Sequence, residues 1–198
     1  MREEYQPFEI GNTWRILPPD CRPPLDHRTN LIMDRGAFGS GEHETTRSCL
    51  KLLENLKIDQ AQVLDLGSGT GILSIAALKQ GAAHATCVDI EPSAVDACRR
   101  NCRRNNIADA TVNHICGTLD KVSGSQFDLI LANIYGDILI DVASNLCHAA
   151  RPGSTLLLSG ILWEYNFDVR NRYEQHGCTV LKNRLLDEFS SVLLQKTD

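Results

Sequence analysis

Val63-Leu64-Asp65-Leu66-Gly67-Ser68-Gly69-Thr70-Gly71-Ile72-Leu73, followed by Cys87-Val88-Asp89-Ile90, is the stretch that decides the fold. An apolar run enters a glycine-rich turn that opens a helix, and the next apolar run ends in a carboxylate. Each Gly removes a Cβ, so the backbone can turn sharply and approach a ligand, while amides at the start of the helix face an anionic group. Asp89 stands where it can accept hydrogen bonds from two ribose hydroxyls. The pattern therefore predicts a nucleoside-cofactor site. It departs from the dinucleotide fingerprint, whose third Gly sits one position later, where this chain has Ile72. Gly-x-Gly-x-Gly preceded by Asp65 favours S-adenosylmethionine over a nicotinamide cofactor. The candidate cofactor contacts are Asp65, Gly67, Ser68 and Gly69 at the turn, with Asp89 and Ile90 at the end of the second strand. A tight structural turn in an unrelated α/β protein is the bland alternative.

Composition sets the scale around this motif. The chain has 198 residues, enough for one α/β domain with a buried core and too few for two full domains. A Pro-rich lead-in from Pro18 to Pro24 sets off an N-terminal arm, residues 1–30, from a domain over 31–198. Within the arm, Trp14-Arg15-Ile16-Leu17 could form one short strand. The polar start and the lack of a membrane-length apolar run give the expectation of a cytoplasmic protein with no signal peptide and no membrane partner. Eight Cys without a Cys-x-x-Cys pair read as reduced thiols. Cys98 and Cys102 lie four apart on one helix face, yet no nearby His completes a ligand set, so packing is their expected role and no metal is expected. A formal net charge of −5 counts against broad capture of nucleic acid. The local exception, Arg99-Arg100-Asn101-Cys102-Arg103-Arg104, reads as a solvated face whose cations offset a helix dipole.

Strands and helices alternate along the rest of the chain. Helices are predicted near Thr45 to Leu56, Ile72 to Gln80, Ser93 to Asn105, Asp137 to Ala150 and Glu164 to His176. Strands are predicted at Gln62 to Leu66, Ala85 to Ile90, Thr111 to Ile115, Phe127 to Asn133 and Thr155 to Ser159, then near Thr179 to Leu185 and Ser191 to Gln195. Repeated strand–helix units imply a parallel sheet with helices on both faces, and the closing hairpin puts one antiparallel strand inside or beside it. The fold class is α/β, a Rossmann-like, seven-stranded, mostly parallel sheet that resembles the class I S-adenosylmethionine-dependent methyltransferases. Ligands of such sheets bind beyond the carboxyl ends of the strands where strand order reverses, here beside Gly67 to Gly71.

Phe127-Asp-Leu-Ile-Leu-Ala-Asn-Ile-Tyr135 is a buried strand that ends on a polar Asn, at the same rim as Gly67 and Asp89. Two roles suit Asn133 and do not exclude each other. Its amide can accept a hydrogen bond from an amine and aim the lone pair at a sulfonium methyl group, which makes it the candidate catalytic residue. It can also cap the following helix. Glu42, His43 and Tyr135 are the ionisable groups expected near the pocket. His43 suits a loop-to-helix structural role as well as catalysis, and Glu42 and Glu44 could attract a cationic substrate or favour the helix start.

A family comes into view when these motifs are taken in order. Ala37-Phe38-Gly39-Ser40-Gly41 with His43 and Thr45-Thr46, the glycine turn, Val88-Asp89, Ala132-Asn133-Ile134 and Ser159-Gly160-Ile161-Leu162 together resemble the PrmA family, which methylates amino groups of a ribosomal protein, large-subunit protein eleven. The resemblance runs from about Asp34 to the end. It implies that Thr46, Gly67, Asp89 and Asn133 occupy cofactor-binding positions and that Phe38 lies close to the cofactor. Two departures stand out. The family loop usually carries Thr and Pro where this chain has Glu42 and Glu44. Family members acting on the ribosomal protein also carry an N-terminal recognition domain, whereas about thirty residues precede the shared region here, so a short form is expected.

The expected activity is S-adenosylmethionine-dependent methylation of amino groups of a protein, with a ribosomal protein as the candidate partner. A methyltransferase acting on RNA, DNA or a small molecule is the alternative with the same pocket. A non-catalytic cofactor-binding module and a nicotinamide oxidoreductase are more distant rivals.

Overall fold

The computed structural model describes residues 6–34, 41–122 and 126–197. Gln62–Leu66 (β4), His84–Asp89 (β5), Val112–Cys116 (β6) and Phe127–Asn133 (β7) form the parallel heart of the main sheet. β4, β5 and β7 are short, largely buried runs bounded by turns, the pattern of strands covered on both faces, and β6 forms the sheet edge. Ala150–Leu162 (β8) extends the parallel set, and Cys178–Leu185 (β9) and Phe189–Lys196 (β10) complete it. The strand order is β6-β5-β4-β7-β8-β10-β9, with β10 antiparallel to both its neighbours. The closing hairpin thus places its second strand inside the sheet. β8 is longer than the Thr155 to Ser159 run read from sequence, because its first residues pair with the start of β7 across a register shift.

Side-chain alternation divides the core in two. Val63 and Leu129 point to the face covered by Glu44–Leu53 (α1), Ile72–Lys79 (α2) and Pro92–Arg104 (α3), which contribute Leu50, Ile75 and Cys98. Leu64 and Ile130 point to the face covered by Gly136–Ala149 (α4) and Trp163–Gln175 (α5), which contribute Leu139, Leu146 and Tyr173. A one-residue slip in any central strand would exchange these faces, so burial on both sides fixes the register.

The N-terminal segment is more ordered than the sequence suggests. Phe8–Ile10 (β1), Trp14–Leu17 (β2) and Thr29–Ile32 (β3) make a second, three-stranded sheet, with β1 antiparallel and β3 parallel to β2. β3 spans the position where the sequence reading begins the domain. Ile10, Trp14, Ile16 and Leu31 are buried in the same core cluster as α1 and α2. The Trp14 indole donates to Leu50 O at 2.9 Å, satisfying a donor whose unpaired burial would cost about 1–3 kcal/mol. Glu54 receives the amides of Asn12 and Thr13 at the β1–β2 turn.

α3 holds this segment from the other side. Asn105 exchanges two hydrogen bonds with the backbone of Ile32, and Asn101 Oδ1 accepts from Asp34 N. Arg100 and Arg104 pair with the Asp34 carboxylate at 3.8 and 2.6 Å. The basic cluster at the helix end therefore anchors the chain just before residues 35–40 as well as offsetting the helix dipole.

Candidate functional site

The sheet reverses between β4 and β7, and the glycine turn lies at that point. Gly67 N and Ser68 N both donate to Val88 O at 2.8 and 3.0 Å, and Gly71 N donates to Ser68 O at 2.8 Å. Gly67, Gly69 and Gly71 take φ values of +70°, +53° and +79°, a conformation that costs an L-residue roughly 1–2 kcal/mol. Their surroundings differ. A Cβ on Gly67 would meet Ile134 Cγ2 at 2.3 Å and one on Gly71 would meet Cys98 Sγ at 2.4 Å, whereas nothing among the described residues lies within 4 Å of one on Gly69. The open side of Gly69 is a place where a ligand can approach backbone.

Asp89 Oδ2 accepts from Gly69 N at 2.8 Å and Oδ1 from Glu91 N at 3.0 Å. A carboxylate has about four acceptor sites, so these bonds use half its capacity and hold it at the rim, half-buried. Next to it Ile90 is 65% exposed, an apolar surface beside a carboxylate with acceptor capacity to spare. Gly69, Asp89 and Ile90 thus form one open cradle with the polarity that a nucleoside needs.

Asp65 lies beneath the turn instead of on its open side. It is 1% exposed, and its Oδ2 accepts from Ser74 N at 3.2 Å and Ser74 Oγ at 2.6 Å. The Ser74 amide near the start of α2 thus has this internal carboxylate as its anion. Burial, with a smaller push from the Asp89 charge, raises the Asp65 carboxyl from 3.8 to about 6 despite the Ser74 bonds. Because the folded value is above the unfolded one, protonation favours the fold: this contribution is whole below the unfolded value and is lost as pH rises through about 6. The shift is worth roughly 3 kcal/mol. Asp65→Asn, which cannot ionise, is expected to gain about that much on the wild type between pH 4 and 7, read as the difference in urea-unfolding free energy at each pH. A difference independent of pH would mean that Asp65 does not titrate with folding.

Asn133 and Thr46 come together from distant parts of the chain. Asn133 Nδ2 donates to Thr46 Oγ1 at 3.4 Å, and Thr46 is buried on α1. The helix-cap reading of Asn133 is overturned, since Tyr135 occupies the N-cap of α4 and that cap has no side-chain hydrogen bond. His43 is the N-cap of α1, with Nδ1 accepting from Thr45 N at 3.3 Å and lying 2.8 Å from Thr45 Oγ1. Its ring also meets Phe189 edge-on at 5.3 Å. Glu44 lies in the first turn of α1, and its carboxylate accepts from Asp187 N at 3.0 Å and Glu188 N at 3.4 Å, tying α1 to the β9–β10 turn. Glu42 and Tyr135 are exposed. Phe38 lies outside the described residues, as do residues 35–40 as a whole.

Ser159-Gly160 takes on a role only in the folded chain. Gly160 has φ +78°, and a Cβ there would come within 2.7 Å of Ile134 O. Gly67 and Gly160 therefore grip Ile134 from two sides and set the path that follows Asn133. Ser159 Oγ lies 2.7 Å from Ser191 Oγ, which donates to Ser48 Oγ at 2.8 Å, so a buried hydroxyl chain links β8, β10 and α1. The 159–162 motif was the available signal; its partners are more than twenty residues away.

Comparison with known proteins accords with this geometry. The family model PrmA, described as ribosomal protein L11 methyltransferase, matches residues 1–197. Proteins named ribosomal protein L11 methyltransferase are similar: one from Chromohalobacter salexigens is 39% identical over 176 residues, 88% of this chain and 58% of that protein. One from Marinobacter nauticus is 38% identical over 173 residues, 87% of this chain and 57% of that protein. The chain thus spans rather more than half the length of these relatives. A crystal structure of a ribosomal protein L11 methylase from Lactobacillus delbrueckii subsp. bulgaricus superposes with a TM-score of 0.84 at 24% identity, covering 98% of this chain and 99% of that one. With the model spanning nearly every residue, the chain belongs to the PrmA family.

Proposed function

We propose that this chain is an S-adenosylmethionine-dependent methyltransferase that methylates amino groups of a protein, ribosomal protein L11 being the first candidate. The observation that carries the cofactor part is the cradle of Gly69, Asp89 and Ile90, with its open backbone, two spare acceptor sites and exposed apolar side chain. Membership of the PrmA family supports the choice of acceptor.

When bound, S-adenosylmethionine supplies a methyl group activated by the sulfonium charge. Asp89 would accept the ribose hydroxyls, Ile90 would cover one face of the base, and Gly67, Ser68 and Gly69 would line the backbone side. Thr46 fixes the Asn133 amide through its nitrogen, leaving Oδ1 as the acceptor that orients an incoming amine. Phe38 is proposed to lie close to the same pocket. A lysine amine is neutral only about once in 2,500 at pH 7, a cost of roughly 4.6 kcal/mol. Alignment of the acceptor can supply about 7–11 kcal/mol, enough to offset it. Tyr135, Ile138 and Trp163 are exposed after the carboxyl ends of β7 and β8, an apolar footing suited to a protein acceptor.

Asn133→Ala is expected to lower turnover about 100-fold while weakening cofactor affinity less than about tenfold, as suits a group that acts on the amine. Equal losses in single-turnover rate and calorimetric affinity would restrict Asn133 to cofactor binding. The function itself is tested by incubating the chain with methyl-labelled S-adenosylmethionine and a ribosome-containing lysate, followed by mass spectrometry. Label on amino groups of L11 is the expected result. Label confined to RNA or to a small molecule would overturn the acceptor, and failure to bind the cofactor would overturn the whole reading.

A further inference from the structure

Beneath the cofactor cradle, the fold collects soft ligands that are scattered in sequence. Cys87 on β5 and His114 on β6 are direct partners in the parallel register, so their side chains share a face of the sheet. That face is covered by α3, where Cys98 and Cys102 are four residues apart. The ligand atoms of Cys87, Cys98 and His114 all lie within 4.8 Å of one another. Cys102, one turn on from Cys98 and buried on the same helix face, adds a third thiol beside them. The sequence reading found no His near the cysteine pair; strand pairing brings one in.

We propose that Cys87, Cys98, Cys102 and His114 form a structural zinc site. Three thiols and an imidazole are the donor set of a closed Cys₃His centre, with the softness that selects Zn²⁺ over magnesium or calcium. His114 Nδ1 is buried without a hydrogen-bond partner among the described residues, an unmet polar atom that coordination would satisfy. Cys87, Cys98 and Cys102 are 1%, 0% and 2% exposed, so the centre is closed to solvent on the thiol side. Tetrahedral bonds of about 2.3 Å to sulfur and 2.0 Å to nitrogen put ligand atoms roughly 3.5–3.8 Å apart. The Cys87, Cys98 and His114 ligand atoms, at most 4.8 Å apart, need to close by about 1 Å, within the reach of cysteine rotamers. On binding, each ligating thiol releases its proton to solvent and His114 coordinates as the neutral ring.

A hydroxyl stands beside the first sulfur: Ser74 Oγ lies 3.1 Å from Cys87 Sγ and donates to Asp65 Oδ2. Cys98 Sγ fills the space that a Cβ on Gly71 would take, and Asn101 Nδ2 donates to Thr70 O at 3.0 Å. Zinc here would rivet α3 to β5 and β6 directly under the glycine turn.

The test is titration of the chelator-stripped, reduced chain with Co²⁺ as a spectroscopic stand-in, followed by competition with Zn²⁺. One Co²⁺ per chain is expected, with thiolate-to-metal charge transfer in the near ultraviolet, tetrahedral d–d bands, displacement by Zn²⁺ and a higher melting temperature with zinc. Cys98→Ser and His114→Gln should each weaken binding more than about tenfold, while Cys147→Ser, on the opposite face, should leave it unchanged. His114 is partly exposed near the sheet edge, so His114→Gln keeps the test valid if Cys98→Ser fails to fold. No saturable thiolate band in the folded wild type, or equal affinity in the wild type and His114→Gln, would overturn the site.

Discussion

Asp89→Ala is expected to weaken binding of S-adenosylmethionine about 100-fold or more, the largest functional loss of any single change at the rim. Each hydrogen bond to a charged group contributes about 1.5–3 kcal/mol, and two ribose hydroxyls would meet this carboxylate. The same change frees Gly69 N and Glu91 N, which now donate to Oδ2 and Oδ1. Those amides sit at the rim and can turn to water, so the cost to folding should be about 1 kcal/mol, a few degrees in melting temperature for a chain of this size. Calorimetry with the cofactor product and a thermal melt of the same sample separate the two effects. Affinity equal to the wild type would remove Asp89 from the site.

Gly67→Ala and Gly69→Ala are expected to divide along the same line between fold and ligand. At Gly67 a side chain must adopt φ +70° and also displace Ile134, whose Cγ2 lies 2.3 Å from the new Cβ. Ile134 cannot retreat freely, because Gly160 packs so closely on its backbone that a Cβ there would lie 2.7 Å from Ile134 O. Left-handed strain of about 1–2 kcal/mol and overpacking of about 1–3 kcal/mol predict a total loss of roughly 2–5 kcal/mol in urea unfolding. At Gly69 only the strain term applies, since the space is open, so stability should fall by about 1–2 kcal/mol. The added methyl group instead occupies the ligand's side of the turn, and cofactor affinity should fall by more than the stability loss accounts for. Full affinity in Gly69→Ala would mean that the ligand does not approach this backbone. Stability losses in the reverse order would contradict the packing of Ile134.

The strongest sequence signals were those set by local rules. β4 and β7 have the bounds read from sequence, Gln62–Leu66 and Phe127–Asn133, because each is an apolar run closed by a glycine turn or a polar residue. Helix bounds moved by at most one residue, except at the end of α1, where the predicted Leu56 gives way to Leu53. Periodicity continues there, but Glu54 turns its carboxylate to the β1–β2 amides and the next residues fold back in tight backbone turns. Trp14-Arg15-Ile16-Leu17 was legible as a strand, but its two partners were not, because pairing depends on segments on either side of a Pro-rich stretch.

The candidate site divides in the same way. Its glycines, Asp89 and Asn133 could be named from one short motif and the end of one strand, since strand, turn and helix spacing places them at a common rim whatever the rest of the chain does. Asp65, read as part of that rim, is buried by α2 and held by Ser74, an outcome set by which face of β4 it occupies. Only the assembled sheet set Asn133 against Thr46, gripped Ile134 between Gly67 and Gly160, and brought His114 to Cys87 and Cys98. Local backbone preference and hydrophobic period act over a few residues, so the sequence by itself determined the kind of fold and the motif at its centre. Register between strands and the choice of face are settled by burial across the whole domain, and the tertiary structure alone decided which of those residues lie open at the rim and which hold the fold.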